Sequence, residues 1–196
     1  MPRDVVRLDP TSLRGLAHPL RVRLLGVLRE HGPATATQLA ERLGQSSGAT
    51  SYHLRQLAAH GFIVEDAGRG VGRERFWKAA HRTTTLEDPG PEGWADAETY
   101  MRAVATQYAE RVDHFITELP SLPRDWQECV TVSDWRLRLT AAEAKELHDA
   151  LFALVARYRR ADDPDAATAA PPDAEHVVVQ AQIMPFLEVA SEGSDG

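Results

Sequence analysis

The sequence predicts a mainly α fold with small β elements: a winged helix-turn-helix, a long helix, and a terminal strand–helix–strand module. Three observations predict it. Two short amphipathic patterns, 36–43 and 47–60, are separated by about three residues, the spacing of a helix-turn-helix. Two strand-like runs with glycines between them follow, over 62–65 and 73–78. Beyond them, apolar residues recur at intervals of three and four from Ala97 to Leu119.

The elements follow in chain order. Residues 1–11 read as a loose arm, with Pro10 preceding a helix start at Thr11 or Ser12. His18-Pro19 interrupts the apolar stripe begun by Leu13, Leu16 and Ala17, and Pro19 suits the first turn of a new helix. That helix, about 19–30, turns Leu20, Leu24, Leu25 and Leu28 inward and ends at Gly32-Pro33. Thr35 with Gln38 forms a capping-box signature; Leu39, Ala40 and Leu43 supply the apolar stripe, and Gly44 stops the helix. Ser46 or Ser47 caps the next helix, which buries Ala49 or Thr50, His53, Leu54 and Leu57 before Gly61 ends it.

Phe62-Ile63-Val64-Glu65 reads as a strand and Arg73–Lys78 as its return, with Gly68, Gly70 and Gly72 in the turn. Residues 83–93 read as a linker, because Asp88-Pro89-Gly90-Pro91 breaks any regular pattern. The long helix carries Ala97, Met101, Val104, Tyr108, Val112, Phe115 and Leu119 close to a coiled-coil stripe, and Pro120 ends it. Then Val130-Thr131-Val132 and Trp135–Leu139 alternate as strands. Thr140 and Glu143 form a second capping box for a helix over about 141–160, and His176–Met184 is strongly β-prone. The expected domains are 1–82 (winged helix-turn-helix), 83–93 (linker), 94–189 (helical dimerisation and effector module) and 190–196 (tail).

Composition narrows the function. The net charge is −7, but residues 1–84 hold 13 Lys and Arg against 7 Asp and Glu, while residues 85–196 hold 9 against 22. A basic front half fits a nucleic-acid reader joined to a different module. The lone Cys129 excludes an intramolecular disulfide and a multi-thiolate metal site within one chain. No run resembles a signal peptide or a bilayer span, so the expected location is the cytoplasm, with no membrane partner.

Residues 12–80 resemble the ArsR/SmtB-type winged-helix repressors. The resemblance is carried by Leu16–Leu25, Thr37-Gln38-Leu39-Ala40, Ser51–Leu57 with His60-Gly61-Phe62-Ile63, and Gly72–Trp77. The whole chain looks like a longer actinobacterial branch of that family with an acidic C-terminal module. The resemblance implies a dimeric transcriptional regulator, repression by default, and a double-stranded DNA operator as partner. It places Ser47, Gly48, Ser51, Tyr52 and Arg55 toward the major groove, with His53 and Leu54 packed inward.

The candidate DNA-binding residues are therefore Ser47, Gly48, Ser51, Tyr52, Arg55, Gln56, Arg69, Arg73 and Arg75. The small polar start of the recognition helix lets its backbone approach bases, and the arginines supply phosphate or base contacts. Ala97, Met101, Val104, Tyr108 and Phe115 are the candidate dimer interface. No cofactor and no metal site are assigned. Glu110 and His114 sit four apart on one helix face, yet a second pair at ligand spacing is missing, and a solvated polar face explains them better. A glycine-rich phosphate loop is not expected at 68–72, which lacks a following helix and a Lys-Ser/Thr pair. No nucleophile signature surrounds Cys129, so catalysis is not expected. Trp126, Trp135, Tyr108, Phe115 and Met184 could line a pocket for an unidentified small-molecule effector, although ordinary core explains them as well. The alternative function is a protein-interaction adaptor built on a winged helix without specific DNA binding.

Overall fold

A computed structural model describes residues 5–69, 74–161 and 168–186. The chain divides into two units, 1–128 and 129–196.

The first unit opens with strand β1 (Val5–Leu8) and helix α1 (Pro10–Leu16). The expected loose arm is thus ordered from Val5, because β1 pairs in parallel with a later strand, β5 (Thr83–Leu86), in register Val5 with Thr83 through Leu8 with Leu86. Helix α1 begins earlier than expected. Asp9 accepts from the Ser12 backbone N–H at 2.7 Å, and Pro10 fills the first helical position, where no N–H is needed. Helix α2 (Pro19–His31) follows, capped by the His18 ring, whose Nδ1 accepts from Leu20 N–H at 3.1 Å.

After β2 (Ala34–Thr35) come α3 (Ala36–Leu43) and α4 (Ser47–Ala59). The capping box at Thr35 and Gln38 is formed in both directions. Gly44 terminates α3 at φ 60°, the left-handed conformation that a Cβ disfavours. Three residues join the helices, and Ser46 caps α4. The wing strands β3 (Ile63–Glu65) and β4 (Phe76–Ala79) are antiparallel, and β2 joins the other edge of β4. Leu13, Leu16, Leu24, Leu28, Leu39, Leu54, Leu57, Phe62 and Ile63 form the core beneath these elements. Packing there is close: a Cβ on Gly15 of α1 would meet His60 Cγ at 2.5 Å and Phe62 Cε2 at 2.7 Å.

Helix α5 (Gly90–Glu118) is the longest element and packs on α1 and α2. The expected linker at 83–93 is accordingly a strand, a short turn and the first turn of α5. Thr83–Leu86 becomes a strand because β1 offers it a partner. A short 3-10 turn (Leu119–Ser121) and α6 (Arg124–Cys129) end this part of the chain.

In the second unit the described residues include helix α7 (Ala141–Val155), with the Thr140–Glu143 capping box formed as expected. The flanking segments 130–132, 135–139 and 176–184, expected as strands, carry no strand among the described residues. Among the described residues the expected strand–helix–strand module shows its helix and not its strands. Short β-prone segments make no stable sheet without partners, and these leave apolar residues in solvent, with Trp135 76% and Val179 64% exposed.

Candidate nucleic-acid interface

Helix α4 shows two opposed faces. Thr50, Leu54 and Leu57 are buried, while Ser47, Gly48, Tyr52 and Arg55 are exposed and Ser51 is half-buried among them. At about 100° per residue, Ser47, Gly48, Ser51, Tyr52 and Arg55 share one side. Gln56 falls at its edge and is half-buried. Tyr52 is 52% exposed, and the Arg55 guanidinium folds back so that its Nε donates to the Ser51 carbonyl at 3.2 Å.

Gly48 has no heavy atom within 4 Å of an added Cβ, and its backbone is helical. Nothing in the chain itself requires glycine there. Gly48→Ala is therefore expected to raise unfolding stability by about 0.5–1 kcal/mol through helix propensity. The same methyl is expected to weaken duplex binding at least several-fold by blocking close approach of the backbone. Urea unfolding and duplex titration, run on one preparation, check the two halves separately.

The wing is less simply cationic than its arginines suggest. Arg69 lies 3.5 Å from Asp66, Lys78 donates to Asp66 at 2.8 Å, and Arg75 lies 3.8 Å from Glu65. Three cations and two carboxylates thus share the base of the hairpin. Such exposed pairs contribute little to stability and yield readily to phosphate. Arg73, Gly70 and Gly72 lie outside the described residues.

Behind the exposed face, the ring of His53 stacks on that of His18 with centroids 4.2 Å apart, and Tyr52 meets His53 edge-on at 5.1 Å. Burial holds both histidines below the ordinary imidazole pKa, and the Arg21 guanidinium pushes both in the same direction. Desolvation likewise lowers Arg21, opposed by the fields of Tyr52 and Asp96. His53 Nδ1, Thr50 Oγ1 and Arg21 Nε are buried with no hydrogen-bond partner among the described residues. The pairing of His18 with His53 escapes sequence reasoning, since nothing local links two rings 35 positions apart.

Residues 16–66 match a helix-turn-helix domain. The matched stretch runs from the end of α1 through both helices of the motif to the first wing strand, so it contains every candidate residue on α4. The chain folds as a mainly α winged helix-turn-helix with a long helix after it. Among solved structures it is similar to a mutant of ZitR from Lactococcus lactis in apo form, at 17% identity over 70% of this chain and 80% of that one, with a TM-score of 0.31. It is also similar to RV1404 from Mycobacterium tuberculosis, at 18% identity over 79% and 76%, again with a TM-score of 0.31. No curated protein matches the chain.

The candidate dimer residues on α5 do not form one surface. Ala97 is fully buried in the helix-turn-helix domain's own core, and Val104 and Tyr108 line a cavity against α2. Met101 points out, and Phe115 is half-buried. At about 100° per residue, a second apolar side emerges instead: Trp94, Met101, Ala105, Val112 and Ile116. Trp94 is 56% and Ile116 54% exposed. Glu110 lies 3.6 Å from Arg23, and no group of three His, Cys, Asp or Glu side chains that could hold a metal occurs among the described residues. No described helix is long and apolar enough to cross a membrane.

Proposed function

We propose that this protein is a sequence-specific, DNA-binding transcriptional regulator of the ArsR/SmtB type, cytoplasmic and homodimeric, repressing by default. The observation that carries the reading is the outer face of α4, where small and polar side chains surround an open glycine on a rigidly cored helix. Ser47, Ser51 and Tyr52 read base edges, and Arg55, Gln56, Arg69, Arg73 and Arg75 hold phosphates or bases. The outward stripe of α5, Trp94 to Ile116, meets the same stripe of a second copy, which presents two α4 helices to a two-fold operator.

Fluorescence anisotropy tests the reading, with the duplex upstream of the protein's own gene, a scrambled duplex and a salt series. Preferential, salt-sensitive binding to the first supports it. The Arg69→Ala/Arg75→Ala protein is expected to bind all duplexes more weakly, with a log–log salt slope shallower by about one unit for each phosphate no longer neutralised. An unchanged slope removes the wing from the interface. The carboxylates beside the wing cations favour a second reading, a protein-interaction adaptor. No duplex binding at low salt, together with a stoichiometric protein partner, selects it.

A further inference from the structure

In a helix-turn-helix the start of the second helix meets the base edges. The first two turns of α4, residues 47–54, read Ser-Gly-Ala-Thr-Ser-Tyr-His-Leu. Base-specific hydrogen bonding in the major groove relies chiefly on Arg or Lys for guanine, Asn or Gln for adenine, and Asp or Glu for cytosine. None of these six residue types occurs in the two turns; Arg55 and Gln56 come only with the third. Serine hydroxyls both donate and accept, so Ser47 and Ser51 fit any base edge and discriminate little. Thr50 and Leu54 are buried, and the His53 ring is stacked on His18 of α2. Tyr52 is therefore the large apolar surface that these two turns expose.

The ring is also held. Its plane stands at 80° to that of His53, and His53 lies 4.2 Å from His18, whose Nδ1 accepts the Leu20 N–H at the start of α2. Tyr52 thus rests on a support two rings deep, anchored in a second helix. An aromatic side chain positioned before contact loses little entropy on binding. Gly48, one turn earlier on the same side, carries no side chain to screen it. In the major groove the apolar feature that such a ring can select is the C5-methyl of thymine, which no other standard DNA base carries. We propose that Tyr52 sets operator specificity by packing its ring against a thymine methyl. The assignment rests on the regulator reading above and adds which base the helix selects, and through which group.

The test selects the preferred site from a random duplex pool with the full-length protein, then makes that site twice, with thymine and with deoxyuridine. Deoxyuridine keeps every hydrogen-bonding atom of thymine and lacks only the methyl. By fluorescence anisotropy the parent protein should bind the deoxyuridine duplex about fourfold more weakly for each thymine contacted, the effect of one methyl group left in water. Tyr52→Ala should bind the thymine duplex more weakly and lose the difference between the two duplexes. Tyr52→Phe should keep the difference, because the ring and not the hydroxyl makes the contact. Circular dichroism and urea midpoints confirm that both variants are folded. Any effect of the methyl on duplex stiffness is common to all three proteins and cancels in the comparison. Equal affinity of the parent for both duplexes, the same loss in Tyr52→Ala as in the parent, or a selected site with no fixed thymine overturns the proposal. A pool that enriches no sequence overturns the regulator reading itself, and this assignment with it.

Discussion

Leu54→Ala is expected to cost about 2–5 kcal/mol of unfolding free energy, the range for emptying a leucine site in a well-packed core. Leu54 is completely buried, halfway along α4, in the cluster that also holds Leu39, Leu57, Phe62 and Ile63. It therefore joins both helices of the motif and the first wing strand to one another. A domain of this size holds roughly 5–15 kcal/mol in total, so the variant is left marginal. The control lies one residue away. Arg55 is exposed and, among the described residues, bonds to its own helix, so Arg55→Ala should change stability by no more than about 0.5 kcal/mol. Urea unfolding reads the contrast as a lower midpoint at unchanged m-value for Leu54→Ala alone. DNA affinity should invert the order among molecules still folded, because Arg55 belongs to the outer face and Leu54 does not. A Leu54→Ala protein as stable as the parent would mean that α4 is not anchored to this core.

Local chemistry explains why the helix-turn-helix was legible in advance. The Thr35–Gln38 and Thr140–Glu143 capping boxes, the Gly44 stop and the period of Leu39, Leu43, Leu54 and Leu57 are all settled within a few residues. What the sequence concealed depends on distant partners. Strand β1 exists because Val5–Leu8 meets Thr83–Leu86, and Arg29 is fixed by groups more than 50 positions away. The same dependence cuts the other way at 176–184, where strong β propensity yields no strand among the described residues. Helix α5 misled for a geometric reason. It has two apolar sides, one set by Ala97 and Val104 against α1 and α2, the other by Trp94, Met101 and Ile116 in solvent. A single three-four stripe drawn through it runs between the two and mixes their members.

Acidification from pH 7.5 toward 5 is expected to destabilise the first unit, with the loss traceable to His18 and His53. Both are held below the ordinary imidazole pKa of 6.5 by burial and by the Arg21 charge. Above pH 6.5 they are neutral in both folded and unfolded chains. As the pH falls through about 6.5, the unfolded chain takes up protons that the folded one resists. Unfolding is thereby favoured, until the depressed folded values are themselves reached. The structure gives each ring a reason to stay neutral. His18 Nδ1 accepts the Leu20 N–H at the start of α2, and a proton there removes the cap, a loss of about 0.5–2 kcal/mol. His53 Nδ1 is buried without a partner among the described residues, and its ring lies against His18. The surrounding charges are Arg14 and Arg21 from α1 and α2 and Asp96 from α5, which lies 3.7 Å from Arg14. Among the described residues Asp96 is already shared by two guanidiniums, so it is poorly placed to balance a protonated imidazole. The double variant His18→Asn/His53→Phe keeps a cap acceptor and an aromatic ring but cannot titrate. Its urea midpoint should fall less between pH 7 and 5 than that of the parent, the other histidines being common to both. An identical pH dependence in the two proteins would place the sensitivity elsewhere. A shallower one would show that the contact between α2 and α4 is strongest while both rings are uncharged.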